Sequence, residues 1–419
     1  MHVKKHQTCR ICGNPHLTEV LDLGMQHIQG AFEHPNSPSP PRRKVRNRIV
    51  RCNTSKNENA CGLVQADSSV SPEILYRNYW YQSGISQTMK NHLKSIVDDA
   101  LEITGFENGL VLDVASNDGT LLRSYPDSFE KVGIDPSNIA FDQKDFRVIN
   151  DVFPSMKLNL EPYDIITSIA CFYDVNEPEE FVREIKGYLA PDGIWILEVA
   201  YLKSILKNLA FDQILLEHCS HYHLAPLEYL INNCGLKIFR AKETDVNGGS
   251  IMCYVCHKDC VKYDKPKYQE ELRTLRFNEF ELELDEAKTY ARFRDNVTDC
   301  LFKLRNEIKK IVESGKTIHL YGASTKVNVI LEAAKIGPEL VAFAAERSPE
   351  KFGAKTLSNI EILSEASSKA LNPNVYLCSL IGFKKEVLER EKDFINSGGS
   401  FLFPLPSLCM VDKYGEHIL

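Results

Sequence analysis

From about residue 109 onward the chain repeats one pattern: a short apolar run, a turn of small or polar residues, then an amphipathic stretch. The apolar runs are "GLVLDVA", "KVGIDPS", "FRVIN", "YDIITSIA" and "DGIWILEVA". Each has the length of a strand, and their alternation with helical stretches predicts α/β architecture with a mostly parallel, doubly wound sheet. The pattern restarts with "KTIHLYGASTKVNVILEAAKIG", "LVAFAAE" and "NVYLCSLIGF", which predicts a second, smaller Rossmann-like unit. Between the two, Tyr268–Gly315 is charged and helically spaced and reads as a helical bridge. The N-terminal part differs, with paired cysteines, prolines and little helical periodicity. Three parts are therefore expected: 1–70, 71–260 and 261–419.

At 419 residues the chain is too long for one ordinary core, which agrees with that division. A net charge of −7 offers no concentrated basic face for nucleic acid. The basic cluster "PRRKVRNR" (Pro41–Arg48) reads as a solvated strand flank. No apolar segment approaches the length of a membrane span, and the N-terminus shows no signal-peptide core, so a cytoplasmic protein with no membrane partner is expected. Thirteen cysteines, an odd number scattered through a large chain, argue for thiols and metal ligands over a disulfide framework.

The candidate chemistry starts at "LDVASNDGTLLRSY" (Leu112–Tyr125). Asp113 closes the first strand of the central part, and ligands of doubly wound sheets bind beyond such strand ends. The turn Ala115–Gly119, with Asn117 and Asp118, lets the backbone approach a ligand, and Gly119 tolerates conformations that other residues resist. About twenty residues on, Asp135 ends the next strand, where a carboxylate can accept hydrogen bonds from a ribose diol. A dinucleotide would want a glycine-rich turn without an acid; Asp118 better suits a cationic or zwitterionic ligand such as S-adenosylmethionine. An ordinary strand–turn–helix capped by Asn117 and Asp118 accounts for the same residues.

Taken in order, "CRICG", "ACGLVQ", "YWYQSGISQTMKNHL", "SNDGTLL", "GIDPS", "FYDVNEPEEF", "LAPDGIWILEVAYL", "EH" at Glu217–His218, "NGGS", "GASTKVN" and "FPLP" resemble a known family over nearly the whole chain. It is the family of three-domain S-adenosylmethionine-dependent C-methyltransferases acting on nucleotide-linked keto-sugars. The resemblance implies a small zinc-binding N-terminal domain, a class I methyltransferase core and a C-terminal Rossmann-like domain that helps to hold the sugar nucleotide.

Each part then acquires candidate residues. Cys9 and Cys12 form a C-x-x-C, Cys52 and Cys61 a stretched second pair, and their positions match the family's four-cysteine cluster, implying structural zinc. Four unrelated buried cysteines are the alternative. "CYVCHKDC" (Cys253–Cys260) imitates a metal motif, but it sits on an expected strand, where residues three apart point to opposite faces. The resemblance makes His218 the candidate base and Glu217 its orienter. Tyr79 and Tyr81 match substrate-facing tyrosines, while Asp174 follows the central strand as a second polar group. Thr88 and His92 are candidates on a helix over the cofactor. Asn247 and Ser250 of "NGGS" are candidates toward the substrate. For the sugar nucleotide, Ser324, Thr325, Lys326 and Asn328 line a strand–turn–helix whose N-terminus suits a diphosphate, with Glu346 and Arg347 after the next strand.

The chain departs from its relatives at Leu215–Leu216, Ala115, Val327 and "LIGF" (Leu380–Phe383). The leading expectation is C-methylation of a nucleotide-activated keto-sugar, in polysaccharide or glycoside biosynthesis. O- or N-methylation of a related molecule is the enzymatic alternative. A catalytically inactive sugar-nucleotide- or partner-binding protein on the same scaffold is the alternative from another class.

Overall fold

The computed structural model describes residues 3–28, 43–71, 75, 82–141, 143–158 and 161–419. Packing divides the chain into two compact units. One comprises residues 1–19, 50–203 and 218–286; the other comprises 20–49, 204–217 and 287–419.

Near the N-terminus, β1 (Val3–Lys5) pairs antiparallel with β5 (Ser68–Val70). A further sheet follows the order β11 (Ser220–His221), β4 (Val64–Ala66), β3 (Val45–Cys52), β2 (Leu17–Gln26).

The first unit is built on a seven-stranded sheet of β6 (Gly109–Val114), β7 (Phe129–Ile134), β8 (Arg147–Ile149), β9 (Tyr163–Ile169), β10 (Leu189–Ala200), β12 (Leu236–Thr244) and β13 (Ser250–His257). Its order is β12-β13-β10-β9-β6-β7-β8, with β13 antiparallel between β10 and β12 and the other pairings parallel. This is the class I methyltransferase sheet. Its apolar runs are continuous because both faces are covered. Along β10, Trp195, Leu197 and Val199 join one core while Ile194 and Ile196 join the other. On β13, Cys253 and Cys256 likewise enter opposite cores, so "CYVC" is a buried strand and holds no metal pair.

Helix α1 (Gln87–Thr104) starts where Ser86 Oγ accepts the Met89 N–H and stops at Gly105, whose left-handed φ of 70° ends the helix. It buries Leu93, Ile96, Val97 and Ala100 against one face of the sheet, each large side chain contributing about 1.5–3 kcal/mol. Helices α2 (Pro178–Tyr188) and α3 (Leu224–Asn233) cover the other face through Phe181, Val182, Ile185, Leu227 and Leu230.

The expected helical bridge is two helices, α4 (Pro266–Glu281) and α5 (Ala287–Glu313), separated where Glu283 takes a φ of 53°. The second unit carries β14 (Ile318–Tyr321), β15 (Phe343–Glu346), β16 (Glu361–Ser364), β17 (Val375–Cys378), β18 (Ser400–Phe403), β19 (Cys409–Asp412) and β20 (Gly415–Ile418). In the order β16-β15-β14-β17-β18-β19-β20, the first five strands run parallel and the last two turn back. Helix α6 (Thr325–Ala333) follows β14 directly. No helix among the described residues is long and apolar enough to cross a membrane.

Candidate active site

In the first unit β6 is flanked by β7 on one side and β9 on the other, so strand order reverses at its carboxyl end. Crevices form at such points. Asp113, the penultimate residue of β6, is buried there and accepts a 2.6 Å hydrogen bond from the Thr167 hydroxyl of β9. Burial pushes its pKa up to about 7; the Thr167 bond opposes the rise and the nearby Asp135 adds to it. A carboxyl so placed gains from a neighbouring cation.

The following turn is tightly wound, with Ala115, Asn117 and Gly119 at φ of 63°, 49° and 74°. A side chain in that region costs about 1–2 kcal/mol, a strain that glycine in place of Ala115 would not carry. Gly119 has no room for a Cβ, which would lie 2.0 Å from the Phe146 ring. Asp135, just beyond β7, accepts the Asn117 N–H through Oδ2 at 2.9 Å and the Ser137 N–H through Oδ1 at 2.7 Å.

Asn117 and Asp118 are already engaged with neighbouring backbone. Asn117 Oδ1 accepts the Ser83 N–H at 3.0 Å, and Asp118 Oδ2 accepts the Gly84 N–H at 2.7 Å. The other Asp118 oxygen takes both the N–H and the hydroxyl of Thr120, at 3.1 and 2.6 Å. Short polar side chains in turns bond nearby backbone readily, and here they fasten the segment before α1. An open depression of about 560 Å³ borders this outer side, lined by Gly84, Asp118, Thr120 and Arg123 and not by Asp113 or Asp135.

Thr88 is exposed on the first turn of α1. His92 turns inward instead: its Nε2 lies 2.7 Å from Glu198, whose second oxygen accepts the Thr244 hydroxyl at 2.6 Å. Glu198, buried near the end of β10, escaped the sequence reading. A lone acid inside the apolar "GIWILEVA" was its available signal.

After β9 the chain makes a short turn, Phe172–Asp174. His218 is buried with its ring 4.3 Å from that of Tyr173, and Phe172 stacks on Tyr222 at 5.2 Å. Cys171 points its thiol at the Val114 carbonyl, 3.6 Å away. Burial holds that thiol well above its usual range, and the charges of Asp174, Asp113 and Asp135 push it the same way. All three carboxyls thus act on Cys171, whose thiol points at the end of β6. Glu217 is buried and, although adjacent in sequence, belongs by packing to the second unit. Burial drives His221 down to about 4, and burial with the Arg51 charge drives His223 down to about 3, so both are neutral at physiological pH. Asn247, Gly248 and Gly249 all have positive φ (56°, 90° and 110°), and the buried Ser250 donates its hydroxyl to the Val246 carbonyl within that loop at 3.2 Å. Tyr79 and Tyr81 lie outside the described residues.

The sulfurs of Cys9, Cys12, Cys52 and Cys61 all lie within 4.8 Å of one another. A tetrahedral zinc with Zn–S of about 2.3 Å needs sulfurs about 3.8 Å apart. Cys9–Cys61 at 3.4 Å and Cys12–Cys52 at 3.5 Å fit that cage. Gly13, at a φ of 68°, closes the first knuckle with its N–H on the Cys9 carbonyl, and the Asn14 amide donates to Cys52 Sγ at 3.3 Å. Such donors stabilise a ligating thiolate. Four sulfurs leave no open position for water, so the zinc is structural.

In the second unit Ser324 caps α6 by accepting the Val327 N–H at 3.2 Å. Glu346, at the end of β15, accepts the Ala323 N–H at 3.0 Å through one oxygen and the Arg347 and Ser348 N–H groups at 2.7 and 3.1 Å through the other. Thr325 opens the helix, Val327 and Asn328 face inward from it, and Asn328 Oδ1 accepts the Leu357 N–H at 3.4 Å. Lys326 is half-buried; desolvation lowers its pKa, and the Asp212 charge pulls it back up. Arg347 is exposed.

Three family matches cover the chain in order. Residues 9–76 match a zinc binding domain, 86–240 a methyltransferase domain, and 245–406 a C-methyltransferase C-terminal domain. Over 416 residues the chain is 27% identical to the C-methyltransferase NovU of Streptomyces niveus, spanning 96% of each. Solved structures resemble only part of it. The PH0226 protein of Pyrococcus horikoshii is 19% identical over 42% of this chain and 95% of its own, with a TM-score of 0.35. An S-adenosylmethionine-dependent methyltransferase of Clostridium acetobutylicum is 13% identical over 40% and 92%, with a TM-score of 0.34. Likeness at that level carries no argument, and the fold rests on the strand order above.

Proposed function

We propose that this chain, a member of the three-domain S-adenosylmethionine-dependent C-methyltransferases and thus a methyltransferase, alkylates a carbon next to the ketone of a nucleotide-linked keto-sugar. The observation that carries this reading is the buried Asp113 at the tip of β6, where strand order reverses, with Asp135 just beyond the neighbouring β7 and His218 packed on Tyr173 in the turn after β9. S-adenosylmethionine supplies an electrophilic methyl group on a positively charged sulfur.

The chain's own residues do the rest. Asp135, already fixed by two N–H donors, keeps lone pairs for a ribose diol. Asp113 lends the pocket a negative charge that a cation recruits. His218 removes the proton next to the ketone, and the Tyr173 ring holds the imidazole in place. Asp174, in the same turn as Tyr173, is the candidate second polar group for that step. Glu217 and the two tyrosines Tyr79 and Tyr81 are the candidates for orienting the base and donating to the enolate oxygen. In the second unit the Gly322 and Ala323 N–H groups are taken by Ala345 and Glu346, so the first-turn N–H groups of α6 at Thr325 and Lys326 are the ones a diphosphate would use, with the Lys326 side chain supplying charge.

Incubation with S-adenosylmethionine and keto-sugar nucleotides in deuterated water tests the proposal. A C-methylated product together with enzyme-dependent exchange of the ring proton is expected. Methyl transfer to oxygen or nitrogen without exchange would replace it by the alternative chemistry. Tight sugar-nucleotide binding with no S-adenosylhomocysteine released would point to a binding protein.

A further inference from the structure

The zinc module reaches further into the candidate active site than four cysteines require. Strand β4 begins three residues after Cys61 and pairs antiparallel with β11, Ser220 opposite Gln65 and His221 opposite Val64. The Ala66 N–H adds a bond to the Cys219 carbonyl at 3.0 Å. His218 is the residue immediately before this paired segment. The side chain of Gln65 also grips the knuckle. Its Oε1 accepts the Arg10 N–H at 2.8 Å and its Nε2 donates to the Thr8 carbonyl at 3.1 Å.

Arg10 lies between the first two metal ligands and extends toward the turn after β9. Its Nη1 donates to both the backbone carbonyl and the side-chain Oδ1 of Asn176, each at 3.2 Å. The Cys219 thiol donates to the same Oδ1 at 3.4 Å. Asn176 is two residues from Asp174 and three from Tyr173, the ring that holds His218. One small module thus touches both halves of the proton-abstracting site. It holds the His218 segment through β4 and Gln65, and the Tyr173–Asp174 turn through Arg10. An exposed Lys4–Glu177 pair at 2.8 Å follows the same seam and adds little by itself.

We propose that Arg10 is a positioning residue for methyl transfer: the metal-closed knuckle, acting through Arg10–Asn176 and Gln65, sets the spacing between His218 and the Tyr173–Asp174 turn. This rests on the assignment of His218 as base. The conformation of Cys9–Cys12 is set by its closed sulfur cage, and the Arg10 backbone is fixed in turn by Gln65, so the Nη1 contact to Asn176 starts from an anchored residue. Displacements of about 1 Å near a reacting centre can cost a hundredfold in rate, so a short anchor suffices to matter.

The test uses the full-length, zinc-loaded protein with Arg10→Ala, Arg10→Lys and Asn176→Ala. Zinc content, S-adenosylhomocysteine affinity, kcat and the imidazole NMR signals of His218 are read together, the signals being assigned with His218→Gln. The expected result is one zinc per chain, cofactor affinity within about twofold, kcat reduced about tenfold or more, and shifted His218 signals in both alanine variants. Arg10→Lys should recover part of the rate. Wild-type turnover and unmoved His218 signals in variants that retain zinc would overturn the proposal. Should Arg10→Ala lose metal, Asn176→Ala decides, because its side chain lies across the contact from the sulfurs. Absence of methyl transfer by the unmodified protein would instead sink the keto-sugar reading, and the His218 signals would still decide the positioning role.

Discussion

The turns after β6 and β14 use the same device for different ends. In each, the acid that ends the next strand reaches back to a turn N–H: Asp135 to Asn117 at 2.9 Å, Glu346 to Ala323 at 3.0 Å. In each, its other oxygen takes an N–H just downstream, from Ser137 or from Ser348 and Arg347. The surroundings differ in sign. The first turn follows the buried acid Asp113, whereas the second opens a helix bearing Lys326. On the proposed function, one scaffold would serve a cationic cofactor in the first unit and an anionic ligand in the second. The backbone arrangement is common to both, and specificity lies in a few charges beside it.

Removing the base should have the largest effect while leaving both turns alone. His218→Ala is expected to lower kcat by roughly 10²–10⁴-fold with cofactor affinity preserved, as stopped assays and calorimetry would show. Next come the two acids. Asp135→Ala should weaken S-adenosylmethionine binding by about tenfold to a hundredfold, through loss of charged hydrogen bonds. Glu346→Ala and Lys326→Met should spare that affinity and weaken sugar-nucleotide binding by about tenfold. If calorimetry shows the same ligand affected by Asp135→Ala and Glu346→Ala, the division of labour is wrong.

Backbone strain distinguishes the turns more finely. Ala115→Gly releases a side chain from φ 63° and should stabilise the fold by up to about 1 kcal/mol, after the added flexibility of glycine is subtracted. Gly322→Ala imposes the opposite change at φ 84° and brings a Cβ to 2.9 Å from Leu380 Cδ1, so denaturant titration should show a loss of about 1–2 kcal/mol.

The smallest effect concerns pH. Asp113 titrates at about 7 in the fold, against about 3.9 in an unfolded chain. The folded state therefore binds the extra proton between those values, and this residue's contribution to stability declines as pH rises through that window. A bound sulfonium favours the carboxylate, so affinity for S-adenosylmethionine should rise as pH passes upward through about 7, by less than about tenfold. Affinity for S-adenosylhomocysteine, which lacks the positive sulfur, should change less. A constant ratio of the two affinities across that range would remove Asp113 from the charge-sensing role.

Strand positions, the paired cysteines, the acids at Asp113 and Asp135 and the buried character of "CYVC" were all legible in the linear chain. Each depends on spacing along a few residues: apolar periodicity, a C-x-x-C knuckle, or an acid at a strand tip. What Asn117 and Asp118 do was not legible, because a ligand site and a capped turn are built from the same residues. Only the backbone of Ser83–Gly84, brought alongside, shows that their side chains are already engaged.

Partners distant in sequence were decided by the tertiary structure. His92 meets Glu198 across 106 residues, and Arg10 meets Asn176 across 166. No local pattern encodes such meetings, since they follow from which strands become neighbours once two apolar faces must be buried at the same time. The sequence alone specified the elements and the kinds of chemistry at their ends. The sheet order then determined which of those ends share one crevice, because residues far apart in the chain become neighbours only when their strands do.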